Sequence, residues 1–377
     1  MWKCPVCDQE NNAATVCPTC GYDRTCDYER YPTAFTVKRA TPTRTLRRQW
    51  REKQNPPTNP QPTAPAAPAK KKGSLWTVLL AVAVIAIVIA VVKFAGGGSP
   101  SVEYTVDYAG YYVNIRLDGG TISAQTVEDT QKLLKKHSCT RILISGGTVD
   151  AAAMEQISKL TDVKEIDFYR CTKVSGFDRL SGMSNLSCIH LKGSSESESE
   201  LDLTGIERIG ALRKLIISDA KSIDLEKLKN AAQLIDLEVR RCNITSLNGL
   251  ENLTNLTSLR LGNNQISDLQ PLSPLVNLEG LNVSNNQISD LQPLSALVNL
   301  EILNVSDNQI SDLQPISNLT NLTRMNICSN NITTLSGLEN LTKLTIIDAS
   351  GNPLTDTSAL EVSGCMDALR TTDTADF

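Results

Sequence analysis

Leucine occupies positions 212, 234, 256, 278, 300, 322 and 344, so six consecutive intervals are each 22 residues long. No other feature constrains the fold as tightly. A unit of this length cannot bury its own apolar face and must stack on copies of itself. Looser copies begin at Leu186, Val163 and Cys139, which makes ten units. Within a unit the order is apolar, two variable, apolar, variable, apolar, two variable, then Asn or a small residue. Side chains alternate across a strand, so in Leu259-Arg260-Leu261 the leucines enter a core and Arg260 faces out; stacked strands then repeat at about 4.8 Å. Composition agrees. Aromatics make up only 4 % of the chain and none lies between Asp178 and Asp376, so the core of these units is Leu, Ile and Val in repeated slots.

The pattern is that of the leucine-rich repeat. The predicted fold class is an α/β solenoid, a leucine-rich-repeat horseshoe of about ten units over residues 139–355. A Gly linker and N-terminal cap occupy 95–138, and 356–377 form a C-terminal cap or tail. A strand starting at Tyr112 and a helix over about Ser123–His137, with Val127, Leu133 and Leu134 near one face, are expected to cap the first unit. Asn264, Asn286, Asn308, Asn330 and Asn352 share one register where the chain leaves the strand. An amide there satisfies backbone groups of the turn, and stacking makes it a structural ladder. Cys171 and Cys242 fall in the same register, where a small buried thiol fits. Asp268, Asp290 and Asp312 form a second register, each before Leu-Gln-Pro. Calcium is one reading of that acidic row. A hard cation needs about six to eight converging oxygens, whereas Asp commonly caps the turn that follows it, and the cap is the expectation.

The stretch LVNLEILNVSDNQISDLQPISNLTNL, Leu297 to Leu322, resembles the 22-residue repeats of bacterial internalins. The resemblance extends over about residues 212–352. It implies a surface protein whose concave repeat face binds host or partner proteins, with the partner set by the variable positions. The chain departs from that family in showing no N-terminal signal sequence, no C-terminal wall-anchoring motif and no immunoglobulin-like module after the repeats, so host-cell invasion is not implied.

The N-terminal quarter is different in kind. Cys4-Pro-Val-Cys7 and Cys17-Pro-Thr-Cys20 are two C-x2-C knuckles, and four thiolates at this spacing suit one tetrahedral Zn²⁺. Residues 1–26 resemble the short zinc ribbons that begin some bacterial membrane proteins. Gly21 matches them, Asp8 departs from the usual Gly, and Cys26 lies outside the ligand spacing. A redox dithiol needs only one such pair, normally in a βαβ context that is not recognisable here. So small a segment buries little core, which makes structural zinc the source of its folding free energy. Residues 27–74 form a basic, then Pro-rich linker, with six prolines between Asn55 and Ala69.

Residues 75–92, LWTVLLAVAVIAIVIAVV, hold no charge and have no polar face at any helical period. That length spans a hydrocarbon core of about 30 Å, so a transmembrane helix is expected over 75–94. Lys70, Lys71 and Lys72 precede it and only Lys93 follows closely. Residues 1–74 carry 13 Lys+Arg against 6 Asp+Glu, whereas the remainder carries 24 against 35. The positive-inside rule places the N-terminus in the cytoplasm and the repeats outside. The basic run from Lys38 to Lys53 beside a membrane attracts anionic lipid; nucleic acid is the lesser reading.

Neither histidine points to catalysis. His137 ends the cap helix, where a cation-capable side chain suits the dipole, and His190 lies on a strand between Ile189 and Leu191 in a solvent-facing position. No nucleophile-base motif or phosphate-binding glycine loop is recognisable. Ten Asn-x-Ser/Thr triplets follow from the repeat consensus and carry no separate meaning. The outward strand positions divide into two halves. The first offers Tyr169, His190, Lys192, Glu238, Arg240 and Arg260, with Arg170 and Arg241 adjacent; from Gly262 onward Asn, Ser and Gly dominate. Tyr and Arg are enriched at strong contact sites, so the first half is the expected seat of a protein partner with acidic groups. The competing reading is that these charges only solvate the surface. The expected function is a membrane-anchored, non-enzymatic recognition or scaffold protein. The alternative is a transmembrane sensor whose zinc ribbon docks a cytoplasmic partner.

Overall fold

The computed structural model describes residues 2–3, 10–11, 101–106, 112–118, 120–193, 199–221 and 223–370. The chain divides into two compact units, Met1–Leu79 with Asp373–Phe377, and Leu80–Thr372. In the first, β1 (Trp2–Lys3) pairs antiparallel with β2 (Glu10–Asn11). Cys4, Cys7, Cys17, Cys20, the basic and Pro-rich stretch and the apolar run 75–92 lie outside the described residues. Among the described residues no helix is long and apolar enough to cross a membrane.

The second unit is built on a sheet of thirteen strands, counted among the described residues. Its outer edge is β3 (Ser101–Val106), antiparallel to β4 (Val113–Asp118). From there every neighbour is parallel: β5 (Arg141–Ser145), β7 (Glu165–Tyr169), β9 (Cys188–Lys192), β11 (Lys214–Ser218), β12 (Asp236–Arg240) and β13 (Ser258–Arg260). β14 (Gly280–Asn282), β15 (Ile302–Asn304), β16 (Arg324–Asn326), β17 (Ile346–Asp348) and β18 (Leu369–Arg370) continue it. A small parallel sheet of β6 (Thr148–Val149), β8 (Lys173–Val174) and β10 (Glu200–Leu201) follows the first strands.

The register is that of the repeat. Leu215, Leu237, Leu259, Leu281, Leu303, Met325 and Ile347 stand side by side in one row, and the leucines at the 22-residue interval are all buried beneath them. Phe168 and Phe177 in this core meet edge to face at 6.1 Å. Opposite the strands the chain returns through short 3-10 turns, three of them with Pro in the first turn: Gln270–Leu272, Gln292–Leu294 and Gln314–Ile316. Asp268, Asp290 and Asp312 each accept the backbone N–H two residues on, at 2.8, 2.8 and 2.9 Å. They cap turns. Gly176 and Gly205 open other turns without a side-chain cap, and they, Gly249 and Gly337 are left-handed, with φ between 85° and 102°. A Cβ on Gly249 would lie 2.6 Å from Glu226 Cα, so the turns of adjacent units touch through backbone.

Helix α1 (Ala124–His137) joins β4 to β5. Ser123 Oγ accepts the Thr126 N–H, and Thr126 Oγ1 accepts that of Ser123. It buries Val127 and Leu134, with Leu133 partly covered. A second helix, α2 (Ala151–Ile157), starts at the Asp150 cap. The outermost element at this end is β3 rather than the helix. At the other end α3 (Ser358–Ser363) stops at Gly364, φ 74°, and β18 adds one more parallel strand.

Candidate binding face

One side of the long sheet packs on the core. The other presents the variable positions of the strands, and their side chains line up unit by unit. The turn just beyond the strands fixes how they are held. Asn308 Oδ1 accepts the Ile288 N–H at 3.0 Å, while its Nδ2 donates to the carbonyls of Val283 and Val305 at 3.0 Å each. Asn264, Asn286, Asn330 and Asn352 repeat this arrangement between their own unit and the one before. Cys242 takes the position with a thiol that donates to Arg240 O at 3.2 Å. Burial pushes the Cys242 thiol up to about 11 and that of Cys171 up to about 12, so neither is a nucleophile near neutral pH.

Where the chain leaves many of the strands it turns left-handed, one to three residues past the strand end. Arg170, Asp219, Arg241, Asn263, Asn285, Asp307 and Ser329 all have φ between 51° and 61°. Asn and Asp tolerate this conformation better than most side chains. Arg170 and Arg241 therefore stand where the backbone does not favour them. Arg241 holds Asp219 through two bonds, 2.6 and 3.2 Å. Burial raises the Asp219 pKa, and Arg241, Lys192 and the Ser218 hydroxyl together more than offset it, leaving the carboxyl below its ordinary value.

The expected site residues do come together on this face, and most of their charge is already paired. Glu238 and Asp167 are only 4 % and 3 % exposed. Carboxylates so covered need cations. Arg240 Nε lies 3.0 Å from Glu238; Arg260 lies 2.8 Å from Asp236 and 3.9 Å from Glu238; Lys214 reaches Asp236 at 2.8 Å. Arg141 bonds Asp167 at 2.8 Å, and His190 Nδ1 stands 3.5 Å from the same carboxyl. His190, placed by the sequence reading in solvent, has its side chain only 14 % exposed and its Nε2 buried without a hydrogen-bond partner. Tyr169 is flanked by two cations, Arg170 at 5.4 Å and Lys192 at 5.1 Å from its ring centre.

A second amide ladder went unread in the sequence. Asn185, Asn255, Asn277, Asn299 and Asn321 donate to a carbonyl of the preceding unit at 2.8–3.0 Å. Its signal was there: an Asn immediately before the first leucine of each of these units. Among the described residues no group of His, Cys, Asp and Glu is placed to hold a metal ion.

A family described as leucine-rich repeats in two copies matches residues 232–274, 276–318 and 320–362. The chain carries leucine-rich repeats. Among solved structures, internalin C2 of Listeria monocytogenes is 26 % identical with a TM-score of 0.43, over 57 % of this chain and 84 % of that one. The internalin inlF of the same bacterium is 23 % identical with a TM-score of 0.47, over 70 % and 87 %. The TLR13 chain of a TLR13–ssRNA13 complex is 18 % identical with a TM-score of 0.53; 68 % of this chain matches 43 % of that one, a likeness of fold. No curated protein sequence matches the chain.

Proposed function

We propose that this protein displays its leucine-rich repeats outside the cell from a single membrane span and binds a protein ligand on the strand face, without catalysing a reaction. The observation that supports the reading is the asymmetry of the sheet. One face buries the whole Leu, Ile and Val core, while among the described residues no helix or second sheet packs on the other. That open face holds Tyr169, Arg170 and Lys192, with the ion-paired Glu238, Arg240 and Arg260 beside them. Residues 75–94 are the span, by length and absence of charge. Cys4, Cys7, Cys17 and Cys20 hold a structural Zn²⁺ on the cytoplasmic side, where thiols stay reduced; the paired strands β1 and β2 flank the first knuckle in sequence.

The test uses residues 101–377 as bait for surface and secreted proteins. A ligand retained by the strand face is lost when Tyr169, Arg240 and Arg260 are changed to Ala, or when Asn282, Asn304 and Asn326 are. It survives substitution of the exposed flank residues Val276 and Val298. Retention that depends on the flank and on neither face variant overturns the reading.

A further inference from the structure

The long sheet ends at β3, and among the described residues no strand pairs with its other edge. A sheet edge is a row of N–H and C=O groups able to take another strand, and proteins usually guard it with lysine, proline, a bulge or shortness. The edge at the far end of the sheet, β18, is two residues long. β3 is six residues long, runs in unbroken register with β4, and holds neither lysine nor proline. Its side chains alternate. Val102, Tyr104 and Val106 stand opposite Leu117, Ile115 and Val113 and pack on the core; Tyr104 is 5 % exposed, whereas the two valines are only partly covered. Glu103 and Thr105 lie on the open strand face, opposite Arg116 and Asn114.

We infer that two copies of this chain join edge to edge through β3, antiparallel about a two-fold axis at Tyr104, into one continuous sheet. The sequence of β3 is self-complementary in that register. A two-fold between antiparallel strands keeps every side chain on its own face, so the axis must fall at a residue. An axis at Val102 or Thr105 pairs only residues 101–103 or 104–106. An axis at Glu103 pairs residues 101–105 but sets Glu103 against its own copy, and like charges directly opposite repel. An axis at Tyr104 pairs residues 102–106: Val102 meets Val106 twice, covering valines that one copy leaves partly exposed, and Glu103 meets Thr105 twice. Position selects a second copy as well, and this part rests on the single-span reading above. Only residues 95–100 separate the span from β3. However they run, they reach no more than about 25 Å. Every anchored copy therefore holds this edge close to the same membrane, which raises the effective concentration of one edge for another. The pairing needs that confinement, because so short a strand contact buries far less than the roughly 800 Å² per partner of a standard interface. The axis stands normal to the sheet, so the two open strand faces point to the same side and a ligand with repeated epitopes meets both.

Full-length chains carrying a donor or an acceptor fluorophore on a C-terminal tag, reconstituted together in phosphatidylcholine vesicles, test this by energy transfer across a range of protein-to-lipid ratios. Wild-type chains should associate. Thr105→Glu sets two carboxylates opposite each other at both of the 103–105 pairs and should weaken association at least about fivefold; Thr105→Lys sets opposite charges there and should strengthen it by a similar factor. Thr105 stands opposite Asn114 on its own sheet, so both variants should keep the fold, which circular dichroism checks. No transfer in the wild type at any ratio overturns the pairing. Transfer that Thr105→Glu and Thr105→Lys leave equal also overturns it and assigns association to another surface. Flotation of the vesicles reports on the span separately. A chain that fails to float refutes the single-span reading, and the same two variants then decide the edge pairing by sedimentation in solution.

Discussion

Replacing Asn308 by Ala removes a side chain that bonds two units at once. The Ile288 N–H, in a fully buried residue, loses its partner at 3.0 Å. An orphaned buried donor costs about 1–3 kcal/mol. The carbonyls of Val283 and Val305 fare better, because each also accepts from a neighbouring ladder amide, Asn286 and Asn330, at 3.0 Å. Losing one of two donors there costs roughly 0.5–1 kcal/mol apiece. The sum is about 2–5 kcal/mol. Asn308→Cys should cost less than Ala, since Cys242 at the equivalent position donates to a carbonyl but cannot serve the N–H as well as an amide oxygen does. Urea unfolding of residues 101–377 gives the stability change, and hydrogen exchange at Ile288 gives its location. Solenoid units couple mainly to their neighbours, so protection should fall around β14–β16 and persist at β7–β9. A loss below about 0.5 kcal/mol, or a loss with Ile288 still protected, would refute the ladder as the link between units.

Gly249→Ala should cost about 2 kcal/mol or more, because φ is 97° and the new Cβ meets the Glu226 backbone at 2.6 Å; Gly210→Ala, with open space around it, should be near neutral in the same thermal melt. Iodoacetamide at pH 8.5 followed by peptide mass mapping should leave Cys171 and Cys242 unmodified in folded protein. Their folded pKa values lie above the ordinary 9.0, so the unfolded chain deprotonates first, and stability should fall as pH rises from about 9 towards 11 and 12. A peptide of residues 1–26 should bind one Zn²⁺ and lose it on Cys17→Ser but not on Cys26→Ser, read by metal content after gel filtration; equal effects would mean a different ligand set.

The period alone located ten strands because the same slot recurs at a fixed interval, and the Asn ladder followed from the same count. The strand β3 was illegible. It lies outside the repeat, and its place is set by pairing with β4. The ion pairs were missed for another reason. Arg260 and Asp236 are 24 residues apart, one unit plus a diagonal step, so their contact is visible only once the register is fixed. Arg240 and Arg260, expected to meet a partner's acidic groups, meet Glu238 and Asp236 of their own face.

The most direct test of the account is the topology of the chain in a membrane. An epitope tag after Phe377 should bind antibody on cells whose plasma membrane is intact, and a tag before Met1 should bind only after permeabilisation. A C-terminal tag that stays hidden until the membrane is breached would contradict the display of these repeats outside the cell.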